Sequence, residues 1–297
     1  MPIKKWSDSR APSGRIAYVN GRYLPHGQAG VHIEDRGLQL ADSIYEVANV
    51  QNGHPVDEEP HLDRLERSLK EVGMVMPVGR AALKLVMREM IARNRIRNGL
   101  LYLQVTRGAA KRDHVPPKDG PRPTLIMTIR PQDEAAIAVR RANGIAVATE
   151  PDQRWARCDI KTVQLLPNLL ARQAAKAKGA AEAWLVDADG FVTEAASANA
   201  WIVDEAGQVV TRDLSRAILP GVTRAIILEA ARDAGLAVTE RKFTAVEAKK
   251  AREAFQSSAT GPAVPVVSID GVRIADGKPG PLTRRIRELY AKKAGME

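Results

Sequence analysis

The chain has 297 residues, of which 44% are hydrophobic and 27% charged, and carries a formal net charge of +10. That length buries one large core or, more readily, two domains, and the composition excludes a disordered or fibrous chain. The charge would suit nucleic acid, but three Phe, four Trp and five Tyr offer few stacking platforms and the arginines are scattered, so no nucleic-acid partner is expected.

Residues 1–14 read as a frayed arm. The first ten are polar and lack a signal-peptide core, and no apolar run approaches the roughly 18 residues that span a bilayer. A cytoplasmic protein without membrane segments is expected. Residues 16–19 and 22–24 flank Asn20-Gly21, and 43–51 and 55–56 flank Asn52-Gly53. Asn-Gly supplies the positive φ angles of a tight turn, so both pairs are predicted hairpins. Alternation in the second puts Tyr45 and Val47 on one face and Glu46 on the other.

A helix is predicted over 60–72, with Leu62, Leu65, Leu69 and Val72 on its apolar side and Gly73 as its stop. Arg64 lies beside that stripe with His61 and Ser68, where a solvated arginine is the ordinary outcome. A second helix spans 80–93, and strands follow at 100–106 and 124–129. Between those strands, Arg107-Gly-Ala-Ala-Lys-Arg112-Asp-His114-Val-Pro-Pro reads as a basic loop punctuated by prolines. Residues 131–136 read as a link between a smaller N-terminal α/β domain, 1–130, and a larger C-terminal domain, 137–297.

The second half alternates strands and helices. A strand at 145–149 precedes Arg157-Cys158-Asp159-Ile160-Lys161-Thr162; a helix through 169–178 and strands at 183–186, 191–193 and 200–203 follow. Cys158 is the single cysteine, which excludes an internal disulfide and fits a reducing compartment. Lys161 closes a short apolar-containing run just before a helical pattern. A lysine half-desolvated at such a junction has a lowered pKa and an amine free to attack a carbonyl. Glu194 ends a nearby strand, where an acid answers the need of a pyridinium nitrogen. Leu219-Pro-Gly-Val222-Thr223-Arg224 opens a helix that runs to Ala234. Its free N-terminal amides make a ready phosphate cradle, although many helices open on Pro and Gly. Thr244-Ala-Val-Glu247 is a capping box, 264–274 a final hairpin and 282–294 a closing helix.

Three of these stretches resemble the signatures of fold-type IV pyridoxal-phosphate aminotransferases, in that family's order: Arg157-Cys-Asp-Ile-Lys161, Thr193-Glu-Ala-Ala-Ser-Ala-Asn199 and Leu219-Pro-Gly-Val-Thr-Arg224. The resemblance runs from about residue 16 to 289 and is strongest to the D-amino-acid aminotransferases. It implies an α/β (α+β) two-domain fold with the cofactor cleft between the domains, and a homodimer with shared active sites. It implies that Lys161 holds pyridoxal 5'-phosphate as an internal aldimine and shuttles the proton, while Glu194 keeps the pyridine nitrogen protonated.

His61-Leu62-Asp63-Arg64-Leu65 resembles the family's His-Ile-Asp-Arg-Leu, whose arginine clamps the phosphate. Leu219, the amides of Val222 and Thr223, and the turn Ser258-Ala259-Thr260 complete that cofactor shell, with Ala259 where the family has a hydroxyl. Ser197 is the hydrogen-bonding member left between Ala196 and Ala198. Ile44-Tyr45-Glu46-Val47 resembles the family's Val-Tyr-Glu-Val, so Tyr45 faces the cofactor and, with Val47, the substrate. Arg112-x-His114 resembles the Arg-x-His pair that binds the substrate's α-carboxylate from a loop of the neighbouring subunit. The implied activity is transamination between D-amino acids and 2-oxo acids such as pyruvate or 2-oxoglutarate.

Alternatives within the class are a branched-chain L-amino-acid aminotransferase, an (R)-selective amine transaminase or an aminodeoxychorismate lyase. Outside it stands a basic binding protein with an aminotransferase-like shell. The chain holds no Gly-x-Ser-x-Gly elbow, Walker loop, His-Glu-x-x-His or cysteine pair, so no metal is expected.

Overall fold

The computed structural model describes residues 14–296, so the arm read over 1–14 lies, but for Gly14, outside the described residues. These group into two units. The first runs to Gln132 and takes in Lys161–Val163; the second holds Asp133–Ile160 and the chain from Gln164 onward.

In the first unit, β1 (Ile16–Val19) and β2 (Arg22–Pro25) form a hairpin across Asn20-Gly21, and α1 (Arg36–Leu40) follows. A second hairpin, β3 (Ser43–Gln51) and β4 (His54–Pro55), closes across Asn52-Gly53. Next come α2 (Glu58–Glu71), α3 (Arg80–Asn94), β5 (Gly99–Thr106) and β6 (Thr124–Pro131). The six strands make one sheet in the order β2-β1-β6-β5-β3-β4, with every neighbouring pair antiparallel. Helix α2 packs on β3 and buries Leu62, Leu65 and Leu69, each contributing about 1.5–3 kcal/mol of transfer free energy. Along β3 the alternation is clean. Ile44, Glu46, Ala48 and Val50 are buried, while Tyr45, Val47 and Asn49 are half-buried.

The second unit opens with α4 (Glu134–Asn143), β7 (Ile145–Pro151), α5 (Leu166–Ala177), β8 (Glu182–Val186), β9 (Val192–Ala195), β10 (Asn199–Val203) and β11 (Val209–Thr211). It continues with α6 (Val222–Asp233), β12 (Val238–Glu240), α7 (Ala245–Lys250), β13 (Glu253–Ser258), β14 (Gly261–Ile269), β15 (Val272–Arg273) and α8 (Pro281–Lys293). The sheet order is β12-β11-β10-β13-β14-β7-β8-β9, with β15 on β14. Pairs β11–β12, β14–β7 and β7–β8 are parallel. Two apolar clusters hold this unit, one around Trp184, Val192, Ile202 and Phe243, the other around Trp201, Ile227, Phe255 and Tyr290.

Residues 131–136, expected as a link, hold the end of β6 and the start of α4. Pro131 still pairs with Gly99, and Glu134 already opens α4 behind the N-cap Asp133, whose carboxylate accepts from the Ala136 N–H at 2.9 Å. Helix α4 buries no residue, so it leaves no core stripe in the sequence. Among the described residues, no helix is long and apolar enough to cross a membrane.

Candidate functional site

Lys161 is half-buried, and its short segment pairs with the start of β3. The Tyr45 N–H donates to the Lys161 carbonyl at 3.0 Å, Thr162 bridges Ile44, and the Val163 N–H donates to the Ser43 carbonyl at 3.3 Å. This pairing leaves the Lys161 Nζ 4.3 Å from the centre of the Tyr45 ring, a cation–π position. Tyr45 stacks on Tyr102 with centroids 5.7 Å apart, and Val47 stands directly opposite Tyr102 across the strands. Tyr45, Val47 and Tyr102 therefore share one face of the sheet. Burial, and then the neighbouring Tyr45, push the Tyr102 hydroxyl up to about 12, and it donates to Gln104 Oε1 at 2.8 Å.

Glu46 points to the other face and is 4% exposed. A carboxylate so placed needs a cation. Arg64 on α2 supplies it as a fork, with Nε on Oε1 and Nη2 on Oε2, both at 2.8 Å. His61 Nδ1 lies 2.8 Å from Oε2. Burial alone would raise the Glu46 carboxyl, but the Arg64 guanidinium and then His61 outweigh it and hold it at about 2. Glu46 thus fixes the arginine that the resemblance in the sequence would place on a phosphate.

Since the folded value lies below the ordinary 4.5, this group's stabilisation is present above about pH 4.5 and is lost as the pH falls through about 2. Its size is on the order of 3 kcal/mol. Glu46→Gln is expected to cost about 3–5 kcal/mol at pH 7, because it removes the buried carboxylate charge that the Arg64 fork and His61 engage, and to flatten the acid limb between pH 4.5 and 2. Unfolding midpoints measured across that range check both effects. An unchanged limb would show that Glu46 does not drive it.

Arg112 and His114 are exposed on the loop between β5 and β6. The start of that loop is sewn to the α1 segment: Asp35 bridges Ala109, and the Arg36 N–H donates to the Gly108 carbonyl at 2.9 Å.

In the second unit, Glu194 near the end of β9 is buried and meets three donors. They are the Arg154 guanidinium, Asn199 Nδ2 at 3.0 Å and the Leu219 N–H at 3.2 Å. Arg154 also binds Asp152, with Nη2 2.7 Å from Oδ2. Within the trio of Asp152, Arg154 and Glu194 one negative charge is therefore in excess. Burial is the strongest influence on the Glu194 carboxyl and leaves it above the ordinary value, against the pull of Arg154 and the Leu219 amide.

Asn199 ties this acid to the next helix by donating also to the Leu219 carbonyl at 3.1 Å. Gly221 is required there, since a Cβ would collide with Asn199 Oδ1. Helix α6 starts directly afterwards with no side-chain cap, and Val222 and Thr223 are buried at its first turn. Ser258 and Ala259 are half-buried at the β13–β14 turn, with the Ser258 and exposed Thr260 hydroxyls 3.0 Å apart. Ser197 is exposed and donates to the buried Glu182 Oε2 at 2.6 Å.

The sequence model of amino-transferase class IV matches residues 43–269. The D-alanine aminotransferase of Listeria monocytogenes is 37% identical over 275 residues, covering 92% of this chain and 94% of that protein. The chain belongs to the class IV aminotransferases. Among solved structures of the fold, the branched-chain amino acid aminotransferase of Escherichia coli superposes with a TM-score of 0.85 at 24% identity, covering 93% of each chain. A hypothetical aminotransferase of Mycobacterium tuberculosis in its PLP-bound form gives 0.80 at 22%, covering 94% of this chain and 98% of that one.

For this class IV aminotransferase, the first unit holds Lys161, Tyr45 and Val47 together, Arg64 on Glu46 at the other face of β3, and Arg112 and His114 on the β5–β6 loop. Glu194, Ser197, Leu219, Val222, Thr223, Ser258, Ala259 and Thr260 all lie in the second. Sequence reasoning assigned no part to Glu46, Arg154, Asn199 or Glu182. Glu46 had a usable signal, an acid on the face that alternation reserves for Ile44, Ala48 and Val50. Arg154 had none, because its partner Glu194 lies 40 residues away.

Proposed function

We propose that this class IV aminotransferase exchanges amino groups between D-amino acids, D-alanine among them, and 2-oxo acids such as pyruvate or 2-oxoglutarate, with pyridoxal 5'-phosphate as cofactor. The observation that carries the reading is the 37% identity to a D-alanine aminotransferase over 92% of the chain, with Arg112-x-His114 present on the β5–β6 loop. The branched-chain structure shares the fold at 24% identity, which carries no substrate with it.

The residues present fit the cofactor. A carboxylate accepts about four hydrogen bonds, and three donors reach Glu194, so about one further donor is accommodated. The excess negative charge beside Arg154, and a carboxyl raised by burial, favour that donor being a cation such as a protonated ring nitrogen. The uncapped start of α6 at Val222 and Thr223 offers amides to a phosphate, as does the turn at Ser258, Ala259 and Thr260. Leu219 gives its amide to Glu194 at 3.2 Å.

When bound, pyridoxal 5'-phosphate supplies an electron sink for the pair left on the substrate's Cα. Lys161 Nζ would hold the cofactor and, once freed, take the proton from Cα as base and return it as acid. Tyr45, which the Nζ approaches from its ring face, orients that amine. Glu194 would hold the ring nitrogen's proton, with Asn199 and Arg154 keeping the carboxylate in place. Arg64, fixed by Glu46, would offer its guanidinium to a phosphate, and the amides at the start of α6 would offer theirs. Ser197, oriented by Glu182, would be the hydroxyl available near the ring. Arg112 and His114 bind the substrate carboxylate, and Tyr45 and Val47 wall its side chain.

The reading includes a homodimer in which one subunit lends this loop to the other's site. It also includes a reducing cytoplasm, where the buried Cys158, its thiol pushed up by burial to about 11, stays inert.

A half-reaction screen tests the substrate class. Purified yellow protein mixed with D-alanine or D-glutamate is expected to bleach, and with L-leucine or L-valine to keep its colour. A preference for the L-amino acids would replace this reading with the branched-chain one. A colourless protein, or a colour that no amino donor bleaches, would favour a binding shell.

A further inference from the structure

Arg36 is an arginine 4% exposed, at the first position of α1. A guanidinium so buried must satisfy its donors inside the protein. Its Nε donates to Asp42 Oδ2 at 2.9 Å. Both terminal nitrogens go elsewhere, Nη1 to the Asp113 carbonyl at 2.6 Å and Nη2 to the His114 carbonyl at 3.2 Å. An arginine serving only as a counter-ion would present its fork to the carboxylate, as Arg64 does to Glu46. Arg36 instead grips the backbone at and beside the carboxylate-binding pair.

The rest of the loop explains why such a grip is needed. Its first residues are tied to the α1 segment: Asp35 accepts from the Thr106 hydroxyl at 2.9 Å, the Gly108 N–H meets Thr106 Oγ1 at 3.0 Å, and the Ala110 N–H meets the Glu34 carbonyl at 3.2 Å. A Cβ at Gly37 would strike Thr106, so α1 lies as close to this strand end as glycine allows. From Lys111 to Val115 every side chain is exposed. Among the described residues, Arg36 makes the hydrogen bonds that reach this stretch from outside it. Asp42 is shared, since Arg107 Nε also reaches its Oδ2 at 2.7 Å. Arg107 in turn holds the carbonyls of Val72 and Gly73 at 2.7 and 3.1 Å, at the end of the helix that bears Arg64. The chain of contacts Arg107–Asp42–Arg36 thus joins the Arg64 helix to the Arg112–His114 loop.

We propose that Arg36, held by Asp42, is a positioning residue that sets the Arg112–His114 loop for recognition of the substrate carboxylate. This rests on the reading of Arg112 and His114 as the carboxylate clamp. Lysine retains the charge opposite Asp42 but lacks the fork that spans two carbonyls.

The test compares Arg36→Lys, Asp42→Asn and the clamp control Arg112→Ala as cofactor-loaded proteins. Trypsin cleavage after Lys111 reads the loop directly. KM and kcat for D-alanine and pyruvate, set against a primary amine without a carboxylate, read its consequence. Arg36→Lys is expected to speed cleavage and to raise both carboxylate KM values roughly 10- to 100-fold, the scale of a displacement of about 1 Å. The amine should be unaffected, and Asp42→Asn should move the same quantities the same way. If Asp42→Asn does not fold, Arg36→Lys decides alone.

Wild-type cleavage and KM in Arg36→Lys, beside a raised KM in Arg112→Ala, would overturn the latch and leave the clamp standing. An unchanged KM in Arg112→Ala would overturn both. Equal losses for amine and amino acid in Arg36→Lys would mark a general structural defect and also overturn the latch.

Discussion

Lys161→Ala is expected to lower turnover by about 10⁴-fold, the upper end of what a lost general base costs. The same substitution removes the amine that would carry the cofactor, so the protein should lose its colour as well as its rate. The change should leave the fold intact. Lys161 is half-buried, and what it contributes to the first unit is chiefly backbone, its carbonyl receiving the Tyr45 N–H at 3.0 Å. Alanine keeps that bond and loses only the contact of Nζ with the Tyr45 ring. Borohydride reduction of the wild type followed by peptide mapping should place the cofactor on Lys161. Added small primary amines should restore part of the lost rate in Lys161→Ala, because they replace the missing base. A reduced adduct on another lysine, or a variant within tenfold of wild type, would remove Lys161 from its role.

The elements legible in the sequence were those whose signal is local. Asn20-Gly21 and Asn52-Gly53 closed both hairpins, and the leucine stripe of α2 gave that helix to within two residues at its start and one at its end. Alternation placed Tyr45 and Val47 on the face opposite Glu46, as the structure has them. Helix α1 has five residues and β12 three, too short for a periodicity to form, and neither was anticipated. The side chains that support the site were hidden for another reason. Arg154 and Arg157 look alike along the chain; only the fold brings the first to Glu194 and leaves the second on Asp159. Arg36 would be read as solvated from its type, yet it is buried because Asp42 and two carbonyls across the turn receive it. Long-range pairing of charges is decided by topology, and single-chain pattern reading carries no term for it.

Arg112→Ala is expected to raise KM for D-alanine and for pyruvate by about 30-fold or more, and to leave a primary amine without a carboxylate nearly unchanged. The estimate follows from a lost charge pair worth about 2 kcal/mol or more at roughly 1.4 kcal/mol per tenfold. Cofactor retention should be unchanged, since Arg112 is exposed on the β5–β6 loop and the groups proposed to hold the cofactor lie on other elements. Turnover at saturation should fall less than KM rises, because the interaction is made with bound substrate as well as in the transition state. Stereochemistry supplies a second readout. If, as proposed, Arg112 and His114 hold the carboxylate and Tyr45 and Val47 wall the side chain, the Cα–H bond of a D-amino acid would point toward Lys161. An L-amino acid in the same clamp would direct its side chain there instead. Releasing the carboxylate frees the substrate to turn, so Arg112→Ala should also narrow the ratio of D- to L-alanine rates. Steady-state kinetics with both enantiomers, both 2-oxo acids and the amine distinguish the outcomes. Equal losses for amine and amino acid, or an enantiomer ratio that stays at the wild-type value while KM rises, would show that Arg112 acts on the charge of the site as a whole and does not clamp the carboxylate.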